Sequence, residues 1–181
     1  FDLAPDEARR LLLAEITQPT SRRLQWTTLA MLPDATLPQL DETFATQFEE
    51  GNLRDWRLLV RYATGAVVDR VKASYQRKVP RCGSPLIPYF LKYDPDFGEQ
   101  EIRRSTSTCA SLGFRPFEMG AYVMSPALER LAVEFLMKAP VLAKAAAAEL
   151  LGKWGSPASR DELWAAMAYF QKWWDGREPE L

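Results

Sequence analysis

Residues 125–164 read SPALERLAVEFLMKAPVLAKAAAAELLGKWGSPASRDELW, and Ser-Pro-Ala opens the stretch at Ser125 and again at Ser156. Serine before proline is a helix-start signal. The hydroxyl accepts from a backbone N–H that has no intrahelical partner, and proline presets φ where its missing N–H is not needed. Between the two starts, Leu128, Leu131, Ala132, Phe135 and Leu136 fall at the spacing of one helical face. Pro140 then begins a second helix with Ala143, Ala145, Ala146, Ala147 and Ala148 on nearly all sides, as suits a helix sandwiched between close neighbours. Gly152 and Gly155 are expected to end it before the next start.

A third such start lies upstream in GSPLIPYFLKYDP, residues 83–95, which puts Ser84 41 residues before Ser125. Helix–turn–helix units recurring every ~30–45 residues are the mark of a solenoid. Elsewhere Leu37, Leu40, Phe44 and Phe48 form an apolar stripe, as do Val67, Val68, Val71 and Tyr75, and Leu163, Met167, Phe170 and Trp174. Thr36 with Gln39 has capping-box spacing, Asn52 stands as an N-cap, and Gly51 and Gly65 as helix ends. No run alternates in the way a strand requires. The expectation is an all-α chain of about ten antiparallel helices forming a single domain over residues 1–181, with an irregular joint at residues 105–125.

Residues 125–164 resemble HEAT-like repeats of the phycobilisome-lyase type, through the segment AAAAELLGKWGSPASRDELW. Residues 36–104 resemble them more loosely, as helix pairs without the consensus. The resemblance implies an α–α superhelix, a HEAT-like solenoid whose second helices line a concave face. It does not imply bilin chemistry.

Composition narrows the function. The chain has 181 residues, 47% hydrophobic and 26% charged, with a formal charge of −1 that argues against whole-molecule attraction to nucleic acid. There is no histidine, the commonest general base and metal ligand, and two cysteines are too few for a thiolate zinc site. No apolar run reaches the ~20 residues that span a bilayer. The chain begins with Phe1 and not Met, as a segment of a longer chain does.

Cys82 precedes one helix of a hairpin and Cys109 follows the other, so an antiparallel pair returns them to one end. A disulfide there closes a 27-residue loop and implies an exported protein; two reduced thiols imply a cytoplasmic one. Charge is also segregated. Asp34, Asp41, Glu42, Glu49 and Glu50 occupy a stretch without bases, and Arg70, Lys72, Arg77, Lys78 and Arg81 one without acids. These are either an acidic and a basic binding stripe or solvated faces, with Arg77 and Lys78 complementing a helix C-terminus.

Trp154, Trp164, Trp173 and Trp174 crowd the last 28 residues. Trp164 and Trp174 are expected to pack the terminal helix, and Trp173, on another face, to mark a contact. No spacing isolates a catalytic pair, and neither the STSTC segment nor the glycines form a nucleophile or phosphate motif. The expected role is therefore a non-enzymatic, cofactor-free, metal-free scaffold that binds a protein partner or a neighbouring domain. Its face is built from residues 66–78, 98–106 and 141–153, with Arg70, Lys72, Gln76, Arg103, Lys144 and Lys153 as polar contacts. The alternative is a DNA-binding protein resembling HEAT-like alkylpurine DNA glycosylases, with Trp56, Arg57 and Arg61 along a groove and Asp55 as the acid. The repeat subtype also suggests, more distantly, a cofactor-lyase or chaperone role.

Overall fold

The computed structural model describes residues 7, 10, 11, 14, 36–78, 84–109 and 125–174, with backbone alone at 109, 142, 169–170 and 172–174. Among these residues every regular element is helical, with eight α-helices and no strand. The chain divides into two compact units, residues 1–78 and 79–181.

In the first unit α1 (Asp41–Glu49), α2 (Arg57–Tyr62) and α3 (Val68–Gln76) surround an aromatic core. Leu37, Leu40, Phe44 and Phe48 are all buried, as their spacing predicts, beside fully buried Tyr62, Tyr75 and Val71. Trp56 meets Phe48 edge-on at 5.2 Å and Tyr75 at 6.4 Å, the arrangement that the ring quadrupoles favour.

The caps differ from those read in the sequence. A 3₁₀ turn at Pro38–Leu40 leads into α1 and has Leu37 as its N-cap with no side-chain bond, so Thr36 and Gln39 form no capping box there. Asn52 does not start a helix. It lies in the turn after α1, and its amide donates to Glu50 Oε2 at 2.8 Å. Gly65 begins a 3₁₀ turn into α3 where a helix end was expected, because Thr64 supplies the cap by accepting from the Ala66 N–H. Gly51 does take the left-handed conformation of a helix end, at φ 76°.

In the second unit α4 (Ile87–Tyr93) and α5 (Pro95–Cys109) form one helical hairpin, and α6 (Pro126–Lys138) and α7 (Val141–Trp154) another. α8 (Arg160–Trp174) packs on α6 and α7. Two of the three Ser-Pro starts, Ser125 and Ser156, are N-caps, while Ser84 bonds within the turn before α4, whose N-cap is Leu86 without a side-chain bond. Ser84 Oγ accepts from Leu86 N–H at 3.1 Å, Ser125 from Leu128 at 3.2 Å and Ser156 from Ala158 at 3.1 Å. The five-residue stripe of α6 is buried with Ile87, Leu91 and Ile102 on one side and Ala143, Ala146, Ala147 and Leu150 on the other. Within the hairpin α4–α5 the helices approach so closely that a Cβ on Gly98 would lie 2.7 Å from the Leu91 backbone nitrogen.

Four readings are corrected in this unit. α7 is sandwiched on its Ala143, Ala146 and Ala147 side, but Ala145 and Ala148 are half-buried and Gly152 is exposed. Gly152 lies inside α7 and does not end it, while Gly155 ends it at φ −66°. Glycine is required at 155 for room: a Cβ would meet Leu151 O at 2.5 Å and Ser159 Oγ at 2.9 Å. The inward face of α8 runs through Leu163 and Ala166, in line with Ser159 of the preceding turn, and Trp164 is 63% and Met167 50% exposed. The expected packing by Trp164 does not occur: Leu163 of its stripe packs on the core, and Ala166 is the buried residue one turn on. The helix α5 also extends to Cys109, into the stretch read as an irregular joint.

Candidate functional site

The six positions expected to form one polar face belong to different units: Arg70, Lys72 and Gln76 to the first, Arg103, Lys144 and Lys153 to the second. Each group has its own chemistry.

Arg70 projects from α3 onto α1. Its guanidinium donates to Glu42 Oε2 at 2.6 Å, to Glu49 at 2.7 and 3.0 Å, and reaches Thr46 Oγ1 at 3.5 Å. Hydrogen bonds from Arg70 hold the Glu49 carboxyl below its ordinary range, and Glu49 and Glu42 raise the Arg70 guanidinium above its own. Lys78 donates to the carbonyls of Phe48 and Glu49 at 3.2 and 3.0 Å and so neutralises the C-terminal end of α1. Arg70 thus joins the basic stretch to Glu42 and Glu49 of the acidic one. Lys72 is half-buried and Gln76 exposed on the same helix.

The second group is similar. Arg103 holds Glu99, one turn back on α5, and bridges to Glu134 of α6 at 2.7 and 3.0 Å, with its guanidinium 5.9 Å from the Phe135 ring centroid. Arg103 lowers the Glu134 pKa by hydrogen bonding. Lys153 pairs with Glu149 at 2.6 Å and lies 5.5 Å from the ring centroid of Trp154, which is 43% exposed. Lys144 is half-buried on α7. Lys153, Trp154 and Gly152 together form an exposed cationic and aromatic end of α7.

Sequence reasoning missed Glu129. From α6 its Oε1 accepts from the Ser156 N–H at 2.7 Å and from the Ser159 hydroxyl at 2.7 Å. These bonds lower its pKa, with the Ser159 hydroxyl as the larger cause. Glu129 thereby ties the helix after one Ser-Pro start to the turn of the next. Glu129 stands four positions beyond Ser125 and Ser159 three beyond Ser156, and no sequence signal marks the two as partners.

The groove residues of the DNA-binding alternative are engaged locally. Asp55 accepts from the Arg57 side chain at 2.8 and 2.8 Å and from its N–H at 3.1 Å, which keeps the carboxyl below its usual range. Trp56 packs between Phe48 and Tyr75, and Arg61 lies 5.0 Å from the centroid of the Tyr62 ring. Among the described residues no three metal-ligating side chains gather, and no helix is long and apolar enough to cross a membrane. Cys82, Trp26 and residues 110–124 lie outside the described residues, as do the side chains of Cys109, Trp173 and Trp174, so the proposed disulfide falls outside them too. No family model, curated protein or solved structure matches the chain.

Proposed function

We propose that the chain is a HEAT-like helical-repeat scaffold, an α–α superhelix that binds a protein partner or a neighbouring domain without catalysis of its own. The observation that carries this reading is the Glu129 junction. One Ser-capped helix hydrogen-bonds to the cap of the next, which is how a repeating array propagates a fixed step between units. The ion pairs of Arg70, Arg103 and Lys153 match positive charge with acids of the same chain. That favours a protein-binding surface over a phosphate-reading one.

The contact positions of the reading are Lys144, Lys153 and Trp154 in one unit, and Lys72 and Gln76 in the other. Charge reversal at Lys144 and Lys153, with helix content unchanged by circular dichroism, is expected to abolish capture of the partner that wild-type protein retains. Unaltered capture removes this face from the proposal. Retention on immobilised DNA provides the opposing test. The scaffold flows through at low and moderate salt, whereas a glycosylase-like groove holds DNA at low salt and releases it steeply as salt rises.

A further inference from the structure

We infer that the first turns of α8 are a releasable cover on the α6–α7 hairpin, clasped shut by the Glu129 carboxylate and able to open while the rest of the second unit stays folded. The scaffold reading concerns the closed junction; how readily it opens is a separate property. Along its whole length the α8 backbone approaches α6 and α7 far more sparsely than those two helices approach each other. The described side chains of α8 also bury little apolar surface. Ala166 is buried and Leu163 partly so, whereas the large Trp164 and Met167 stay mostly outside. By contrast α6 buries three leucines, a phenylalanine and an alanine in one stripe.

What closes the junction is polar and concentrated on one atom. Glu129 Oε1 accepts from the Ser156 N–H and from the Ser159 hydroxyl, each at 2.7 Å, and so joins α6 to the turn that leads into α8. Bonds to an ionised acceptor are stronger than neutral ones, so this clasp holds more than its two contacts suggest. Glu162, three residues beyond Ser159, works the other way. It shares the helix side of Leu163 and Ala166, and its Oε2 is buried without a donor. Docking strips water from that oxygen and supplies no partner, a cost that opening removes. A segment with sparse apolar contact, one polar clasp and one unpaired acceptor belongs to the low end of the stabilities within a fold, where local opening precedes global unfolding. Opening withdraws Leu163 and Ala166 and bares the part of the apolar cluster that they cover.

The test is native-state amide hydrogen exchange of the full chain at one fixed pH. Amides of residues 164–168 in α8 are compared with those of residues 131–136 in α6, which lie in the buried stripe and serve as an internal reference. In wild type the α8 amides are expected to exchange about tenfold faster than the reference, as locally opening segments do. Glu129→Ala speeds them about tenfold further and leaves the reference unchanged. Ser159→Ala deletes one of the two donors without altering α6, and has a smaller effect in the same direction. Glu162→Gln acts oppositely and slows α8, because burying an unpaired charge costs more than a first-turn carboxylate gains at a helix N-terminus. Exchange of α8 at the reference rate overturns the local opening. A Glu129→Ala chain in which both helices speed up alike, or neither does, overturns the clasp. A Glu162→Gln chain that exchanges as fast as wild type or faster overturns the opposing role of Glu162.

Discussion

The two units are stabilised by different means. In the first, polar groups distant in sequence are drawn together. Asp41, only 4% exposed, accepts from both the N–H and the hydroxyl of Thr64, and Arg70 is clasped by Glu42 and Glu49. In the second, the dominant contacts are aliphatic: the α6 stripe against alanines of α7, closed by serine caps at helix starts. The difference shows where stability resides. An exposed ion pair contributes little in water, whereas apolar burial scales with area and does not depend on salt. In either unit core truncation is therefore expected to cost more than loss of an exposed ion pair.

The largest effect is expected at Leu131, which is 2% exposed in the centre of the second unit. Leu131→Ala removes apolar contacts and leaves a cavity, at a cost of about 3 kcal/mol. Urea unfolding of the full chain followed by circular dichroism reads this as a lowered midpoint. Next comes Gly98→Ala. Its new Cβ would stand 2.7 Å from a backbone nitrogen of α4, and backbone cannot swing aside as a side-chain tip can. Separating α4 from α5 by the required distance costs about 2 kcal/mol. An unchanged midpoint for Gly98→Ala means that the hairpin is looser than its geometry indicates.

The same contrast accounts for what the sequence makes legible. Signals written within one helical turn are readable: Ser125 and Ser156 both cap, and Leu37, Leu40, Phe44 and Phe48 all face inward. Partners 21 to 30 residues apart are not. Nothing near Arg70 announces that it is the residue of the basic run that meets Glu42 and Glu49. Glu129 was overlooked for the same reason. On α8 Leu163 packs inward as its stripe predicts, while Met167 of the same stripe is 50% exposed. Apolar spacing says which residues share a face; it does not say which of two overlapping faces a neighbour covers. The irregular start of α1 likewise shows that capping-box spacing at Thr36 and Gln39 is necessary to the motif without being sufficient.

That last point yields a smaller, paired prediction. Ser125→Ala removes the acceptor of the Leu128 N–H and should cost about 1 kcal/mol. Thr36→Ala removes a hydroxyl that caps nothing at the start of α1, and should leave the midpoint where it is. Equal losses at both positions erase the distinction between a capped helix start and a merely cap-like sequence. The comparison is best made in one buffer, since both substitutions leave charge unchanged.

The smallest effect concerns the Arg70 clasp and is visible mainly through its dependence on conditions. Arg70→Gln lowers the thermal midpoint at low ionic strength, and the difference from wild type shrinks in 1 M salt because the side chains are partly exposed. Acid acts through the partners. The Glu49 carboxyl is held below its ordinary value by Arg70, that of Glu134 by Arg103 and that of Glu129 by two serines. A carboxyl depressed in the folded state stabilises the fold fully above its unfolded pKa, about 4.3 for glutamate. That contribution declines as pH falls through the folded value, because protonation then costs the bond that ionisation maintained. Wild type is therefore expected to lose stability on acidification below about pH 4.3. Arg70→Gln, having lost one such bond already, loses less over the same interval. A parallel decline in both proteins means that Glu49 gains nothing from Arg70, and that the charge lattice of the first unit is a surface arrangement with no hold on the fold.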